Sequence, residues 1–251
     1  MRAIILAAGR GLRLQQPEDQ QSPKCLLEFG GKSLLERHLL LLRSAGVTEI
    51  VLALGFRYDL VEAEINRLNW QPKPSIVLNN AFELGSMLTV HTCAAAMTLG
   101  GDVLLMDADV LYDDRIMAAL VAGRKPVNRL LIDCGFEPGD EPVKVCVHSG
   151  KVVEFRKKIA PGLEYDTVGE SIGFFRYSES GAGRLATLVA GYIDSGRANL
   201  PHEEAVRDQL LEHNQPFEVT DVTGEPWVEI DFTEDVARAT RDVLPRLRAL
   251  P

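Results

Sequence analysis

The chain has 251 residues, of which 46% are hydrophobic and 25% charged, with a formal net charge of −9 and a pI near 5.1. This is the balance of a soluble globular protein long enough to bury a sizeable core, and its acidity argues against a nucleic-acid-binding surface. No apolar run approaches the roughly 18 residues of a membrane span. Met1-Arg2 leads straight into a strand pattern rather than a signal peptide, and Cys25, Cys93, Cys134 and Cys146 form no C-x-x-C pair, so a cytoplasmic protein without membrane insertion or a zinc site is expected.

Residues 3–6, Ala-Ile-Ile-Leu, read as a strand buried on both faces. The chain leaves that strand through Leu6, Ala7, Ala8, Gly9 and Gly11. Small side chains let the backbone approach a ligand, and glycine dihedrals turn successive N–H groups toward an anion, although a tight turn alone would use the same glycines. Arg13 and Lys24 bracket a loop rich in Gln, Pro and Ser, which reads as a flap over a polyphosphate, both cations being exposed in the empty protein. The third glycine of a dinucleotide fingerprint and the P-loop string are both absent.

Ser33 predicts the cap of a helix that stops at Gly46, followed by a buried strand at 49–54, a helix at 58–68 and a strand at 75–78. Asn79 and Asn80 open a loop to Gly85, Ser86 reads as the cap of a helix to Met97, and 102–106 is a fourth strand. Beyond residue 127, strands are expected at 129–134, 143–147, 152–155 and 171–176, helices at 179–191 and 202–213, strands at 217–220 and 227–230, and a last helix at 233–247. The fold class is therefore α/β: a Rossmann-like, mixed but mostly parallel sheet flanked by helices, with a small antiparallel extension. One domain over 1–251 is expected, its halves being 1–126 and 127–251, with ligands at the carboxyl ends of the strands.

Asp107-Ala108-Asp109 follows the fourth strand, where hard carboxylate oxygens suit Mg²⁺. Helix capping is the competing reading, and it is the one adopted for Asp113-Asp114. Asp231, between a strand and a helix, reads on its own as a cap. His38, His91, His148, His202 and His213 show neither metal-ligand spacing nor a nucleophile elbow, so hydrolase chemistry has no support.

Leu6-Ala7-Ala8-Gly9-x-Gly11-x-Arg13-Leu14, Pro23-Lys24-x-Leu26 and Gly30-Gly31-Lys32-Ser33-Leu34-Leu35 closely resemble the amino-terminal signature of the nucleotidyltransferases that make NDP-sugars and CDP-alcohols, the NDP-sugar pyrophosphorylase-like family. Scattered patches, among them Arg156-Lys157-Lys158, Gly169-Glu170-Ser171-Ile172-Gly173, His202-Glu203-Glu204-Ala205 and Trp227-x-Glu229-Ile230-Asp231, look like the branch acting on phosphocholine or 2-aminoethylphosphonate, with inositol-phosphate cytidylyltransferase a cousin.

The resemblance implies that residues 1–126 bind the nucleotide and 127–251 the acceptor. It implies that Asp109 and Asp231 hold Mg²⁺, and that Leu6, Ala7, Ala8, Gly9, Gly11, Arg13, Lys24, Asn80, Gly85, Ser86 and Asp107 bind an NTP, with a lean to CTP. Arg13, Lys24 and Lys157 are the implied catalytic cations. Lys144, Lys157, Glu170, Glu203, Trp227 and Glu229 are the implied acceptor residues, and carboxylates beside an aromatic face suit a small phosphorylated acceptor with an ammonium head. A homodimer is left open.

Sugar-nucleotide members usually carry Leu-Gly-Asp where this chain has Asp107-Ala108-Asp109, which disfavours hexose phosphates. The alternatives are a sugar-1-phosphate or inositol-phosphate enzyme, a molybdopterin-cofactor nucleotidyltransferase, and a non-catalytic nucleotide-binding homologue. Retention of Arg13, Lys24, Asp109 and Asp231 together argues against the last.

Overall fold

The computed structural model describes residues 1–14, 21–123, 127–212 and 214–251. Residues 15–20 of the expected flap, 124–126 at the expected boundary, and His213 lie outside the described residues. The strands are β1 (Arg2–Ala7), β2 (Glu28–Phe29), β3 (Lys32–Ser33), β4 (Glu49–Leu54), β5 (Ser75–Leu78), β6 (Val103–Asp107), β7 (Val110–Tyr112), β8 (Asn128–Asp133), β9 (Lys144–His148), β10 (Lys151–Arg156), β11 (Thr167–Tyr177), β12 (Phe217–Asp221) and β13 (Trp227–Glu229). The α-helices are α1 (Leu34–Ser44), α2 (Tyr58–Leu68), α3 (Ser86–Thr92), α4 (Ala94–Met97), α5 (Asp114–Val121), α6 (Glu179–Asp194), α7 (Glu203–Leu211) and α8 (Thr233–Arg238).

β1 is central because both of its faces are apolar. It lies between two parallel neighbours, with Ile4 opposite Val51 of β4 and Leu105 of β6. Successive strand side chains point to opposite faces. Ala3 and Ile5 thus join Leu39 of α1, Ile65 of α2 and Ile116 of α5 on one side, while Ile4 joins Val90 of α3, Leu185 of α6 and Val206 of α7 on the other. The result is the mixed α/β sheet with flanking helices that the strand–helix alternation predicts.

The parallel order β5-β4-β1-β6 reverses direction of growth at β1. The loops after β1 and β6 therefore diverge around a crevice at the carboxyl ends of these strands, where open α/β sheets take ligands. Beyond β6 the sheet turns antiparallel through β11. That long strand pairs with β9 over its first residues and with β6 over its last, and β8 runs along its other edge. The register slips between Ser171 and Phe175, where Gly173 adopts φ +78. A Cβ there would lie 2.4 Å from Asp107 Oδ2, so the bulge makes room for the last carboxylate of β6.

Four details differ from expectation. The helix expected to run from Ser86 to Met97 breaks at Cys93, after Thr92 Oγ1 has donated to the Thr89 carbonyl, a back-bond that disturbs helical geometry. Ser86 is the first residue of α3 rather than its cap, and its hydroxyl accepts from the His202 amide at 2.9 Å. The last helix is α only to Arg238 and continues as a π turn and a 3₁₀ turn containing Pro245, whose ring and missing N–H cannot continue an α-helix. The short strands β2, β3 and β7 have no counterpart among the expected elements, whereas α5 is the helix that Asp113 caps as read, accepting from the Arg115 amide. No helix among the described residues is long and apolar enough to cross a membrane.

Gly173→Ala is expected to lower stability by about 1–2 kcal/mol, since it combines positive-φ strain with a clash. Urea midpoints compared with those of Gly183→Ala, a position with open space around it, check this.

Candidate active site

The crevice holds a cavity of about 730 Å³, lined by the glycine-rich loop from Leu6 to Arg13, by Lys24, by Gly85 and Ser86 at the start of α3, by Asp107 and Asp109, by His202 and Glu203, and by Glu229 and Asp231. Each segment is brought there by a definite local constraint. Ala8 accepts from the Phe56 amide at 3.0 Å, and a Cβ on Gly55 would lie 2.8 Å from the Ala8 carbonyl, so the loop is pressed against the β4 exit. Gly9 has open space where a side chain would be. Gly11, at φ +63, leaves room for the Lys24 stem, which a Cβ would meet at 2.9 Å.

The carboxyl-terminal segment reaches the site through β13, which pairs antiparallel with β7, and through the Ile230 amide, which donates to the Asp109 carbonyl at 2.9 Å. Asp231 and Phe232 then donate their amides to Asp235 at the head of α8. Glu229 and Asp231 share one face of the extended chain. Oxygens of Asp109, Glu229 and Asp231 consequently lie within 4.8 Å of one another.

Lys24 sits among them. Its ammonium donates to Asp109 at 2.8 Å and to Asp231 at 2.7 Å. The expectation that Lys24 is exposed in the empty protein is corrected, because its side chain is only 14% accessible. Burial works against its charge, but the two carboxylates outweigh this and hold its pKa above the ordinary lysine value. Arg13 stays half exposed, pairs with Asp231 and Glu141 at 3.1 Å each, and lies over the Phe232 ring.

Glu229, expected among the acceptor residues, lines the cavity within this cluster. Burial, reinforced by the charges of Asp109 and Asp231, raises its pKa well above the usual carboxylate value. Three converging carboxylates, one of them short of positive charge, form a hard-oxygen donor set that fits a divalent cation such as Mg²⁺.

A second charged group forms the other end of the cavity. His202, almost fully buried, points Nδ1 at Ser86 Oγ and Glu203 Oε2, both at 3.1 Å. Burial opposes the imidazolium, yet Glu203 and Asp107 prevail and raise its pKa to about 9. Glu203 is held down at about 2, its burial outweighed by His202. Asp107 is pushed up to about 7, chiefly by burial.

The remaining expected site residues are placed elsewhere. Asn80 is exposed and does not line the cavity, while Asn79 beside it is buried and closes a turn onto the Ala81 amide. Lys144 spends its ammonium on the carbonyls of Gly139 and Lys157, at 2.7 and 2.6 Å, which makes it a brace. Lys157 pairs with Glu141 at 2.9 Å outside the cavity. Trp227 donates its indole N–H to Asp133 at 2.9 Å and packs on the apolar core. Glu170, pushed up to about 7 mainly by burial, does not line the cavity either.

His202 and Arg10 line the cavity but carry no role in the sequence reading. Arg10 crosses its mouth to Glu83 at 3.1 Å and lies 5.5 Å from the Phe56 ring centroid. Its position between Gly9 and Gly11 was the available signal.

A family model for the MobA-like NTP transferase domain matches residues 3–162. Over 94% of this chain and 98% of the other, the sequence is 24% identical to the CTP:phosphoglutamine cytidylyltransferase of Campylobacter jejuni. In structure it is similar to the inositol-1-phosphate CTP transferase of T. maritima, with a TM-score of 0.77 at 19% identity over 99% of this chain and 98% of that one. It is also similar to the CTP:phosphocholine cytidylyltransferase of Streptococcus pneumoniae, with a TM-score of 0.71 at 19% identity over 94% and 96%.

Two measurements check the electrostatics. Lys24→Met is expected to cost about 1–3 kcal/mol in chelator-containing buffer, because it strands partly buried carboxylates; urea unfolding at fixed pH reads this. The stability contributed by His202 is present below about pH 6.5 and is lost as pH rises through about 9. His202→Gln should therefore flatten the fall in unfolding free energy between those pH values.

Proposed function

The chain belongs to the MobA-like NTP transferase family and is a nucleotidyltransferase, and from that premise we propose that it transfers a nucleotidyl group from an NTP, preferentially CTP, to a small phosphorylated alcohol or phosphonate. The observation that carries this reading is the convergence of the glycine-rich loop, Lys24 and the Asp109-Glu229-Asp231 carboxylates on one cavity. CTP is favoured because the three relatives described above are named for it.

In the proposed reaction an oxygen of the acceptor's phosphate or phosphonate attacks the α-phosphorus. A new P–O bond forms as the bond to the bridging oxygen breaks, and that electron pair leaves with pyrophosphate. Main-chain N–H groups from Ala7 to Gly11 cradle the phosphates, Arg13 holds the leaving β- and γ-phosphates, and Lys24 neutralises the α-phosphate. Asp109 and Asp231, with Glu229 beside them, would hold a divalent cation, whose chemistry there would be charge neutralisation at the α-phosphate. Lys157 is assigned to the acceptor's phosphate. No protein nucleophile is required.

The test is a matrix of four NTPs against phosphocholine, aminoethylphosphonate, inositol phosphate and hexose phosphates, read by pyrophosphate release. Turnover confined to CTP with a phospho-alcohol or phosphonate is expected; preference for a hexose phosphate overturns the acceptor class. Asp109→Asn and Asp231→Asn should each reduce kcat by about 10²-fold or more, as for other lost charge-stabilising groups, with unfolding transitions retained. Wild-type rates in either variant at limiting Mg²⁺ would remove that carboxylate from the metal assignment.

A further inference from the structure

We propose that Glu141 is a built-in anion that occupies the phosphate-binding cations of the ligand-free protein and is exchanged for substrate phosphate; the inference rests on the nucleotidyl-transfer reading. Glu141 lies in the connection between β8 and β9. Its Oε2 accepts from Arg13 Nη1 at 3.1 Å and from Lys157 Nζ at 2.9 Å. The two cations come from the glycine-rich loop and from the segment after β10, yet they converge on a single carboxylate oxygen. While Glu141 is in place, a cation assigned to the leaving phosphates and a cation assigned to the acceptor are both engaged by one carboxylate oxygen, as each would be by a phosphate oxygen.

The surroundings hold that arrangement in place. Lys144 ties the Gly139 carbonyl of the Glu141 loop to the Lys157 carbonyl, at 2.7 and 2.6 Å, so Glu141 and Lys157 are braced side by side whether or not their ion pair forms. Arg13 is kept at the cavity wall by Asp231 at 3.1 Å and by the Phe232 ring 5.3 Å away. The result is an unbroken alternation of charge, Lys157-Glu141-Arg13-Asp231-Lys24-Asp109, running from the acceptor-side loop to the carboxylate cluster.

The Glu141 link is the exchangeable one. Its side chain is 57% accessible, against 14% for Asp231, and half-exposed pairs are weak in water. A phosphate carries more charge and more acceptor oxygens than one carboxylate, and the flat guanidinium engages it bidentately. Lys157 and, with a smaller effect, Arg13 hold the Glu141 carboxyl below its usual range, so it remains a competing anion throughout neutral pH.

Titration calorimetry with inorganic pyrophosphate, on the wild type and Glu141→Gln, tests this. The variant is expected to bind pyrophosphate about three- to tenfold more tightly at low salt, matching the loss of two half-exposed ion pairs, and the gain should shrink at high salt as the pairs are screened. Thermal midpoints should fall by no more than about 2–4 °C, because two half-exposed pairs are lost while the glutamine keeps the volume. Equal or weaker binding by Glu141→Gln overturns the exchange while leaving nucleotidyl transfer intact. Absence of pyrophosphate binding in both proteins overturns the exchange and the nucleotidyl-transfer reading together.

Discussion

The Lys24 ammonium between Asp109 and Asp231 is the contact on which the site depends. It joins three stretches that are 85 and 207 positions apart in sequence, the second strand of the contact being reachable only because β13 pairs with β7. Without a cation there, carboxylates within 4.8 Å of one another repel by on the order of 3 kcal/mol per charged pair at an effective dielectric of about 20. Lys24 and Arg13 pair with Asp109 and Asp231 and leave Glu229 as the third carboxylate. That deficit is visible in Glu229, whose pKa is raised by burial and by its acidic neighbours, in a set of hard oxygen donors of the kind that fits a divalent cation.

The same economy of charge operates around Asp107. This carboxyl ends a strand buried in the middle of the sheet, and it is tolerated because Gly173 vacates the space beside it and His202, just before α7, lends positive charge. His202 reaches the cavity because the chain before it packs against Gly85, where a Cβ would meet the Asn199 carbonyl at 3.3 Å, and because Ser86 accepts from its amide. Gly173 beside Asp107 and Gly85 beside Asn199 thus allow the close approaches on which these groups depend. The chemistry is built on rigid strand ends and helix starts, which suits a reaction catalysed mainly by positioning.

The parallel order β5-β4-β1-β6 supplies the crevice, and the antiparallel strands beyond β6 supply its far wall. These two parts differ in how they are read from the chain. Strands such as β1 and β4, buried on both faces and followed by helices with apolar residues at helical spacing, are local patterns; so are the caps at Ser33 and Asp113. β7, three residues long, has no such pattern, since it exists only because β13 pairs with it.

What the sequence determined by itself was the α/β alternation, the glycine-rich loop with its two cations, and the acidic pair at the end of β6, whereas Asp231 on its own read as a cap and joined the site only through the family resemblance. Glu229 and Asp231 were separated in the reading although their spacing of two puts them on one face of an extended chain, a signal that was present in the sequence. Tertiary structure alone decided that Lys24 is buried between carboxylates, that Trp227 is spent on Asp133 and Lys144 on main-chain carbonyls, and that Glu141 joins Arg13 to Lys157. The reason is physical: a charged or aromatic side chain takes whichever partner the packing of distant segments brings within about 3 Å, and no local pattern of residues encodes that distance.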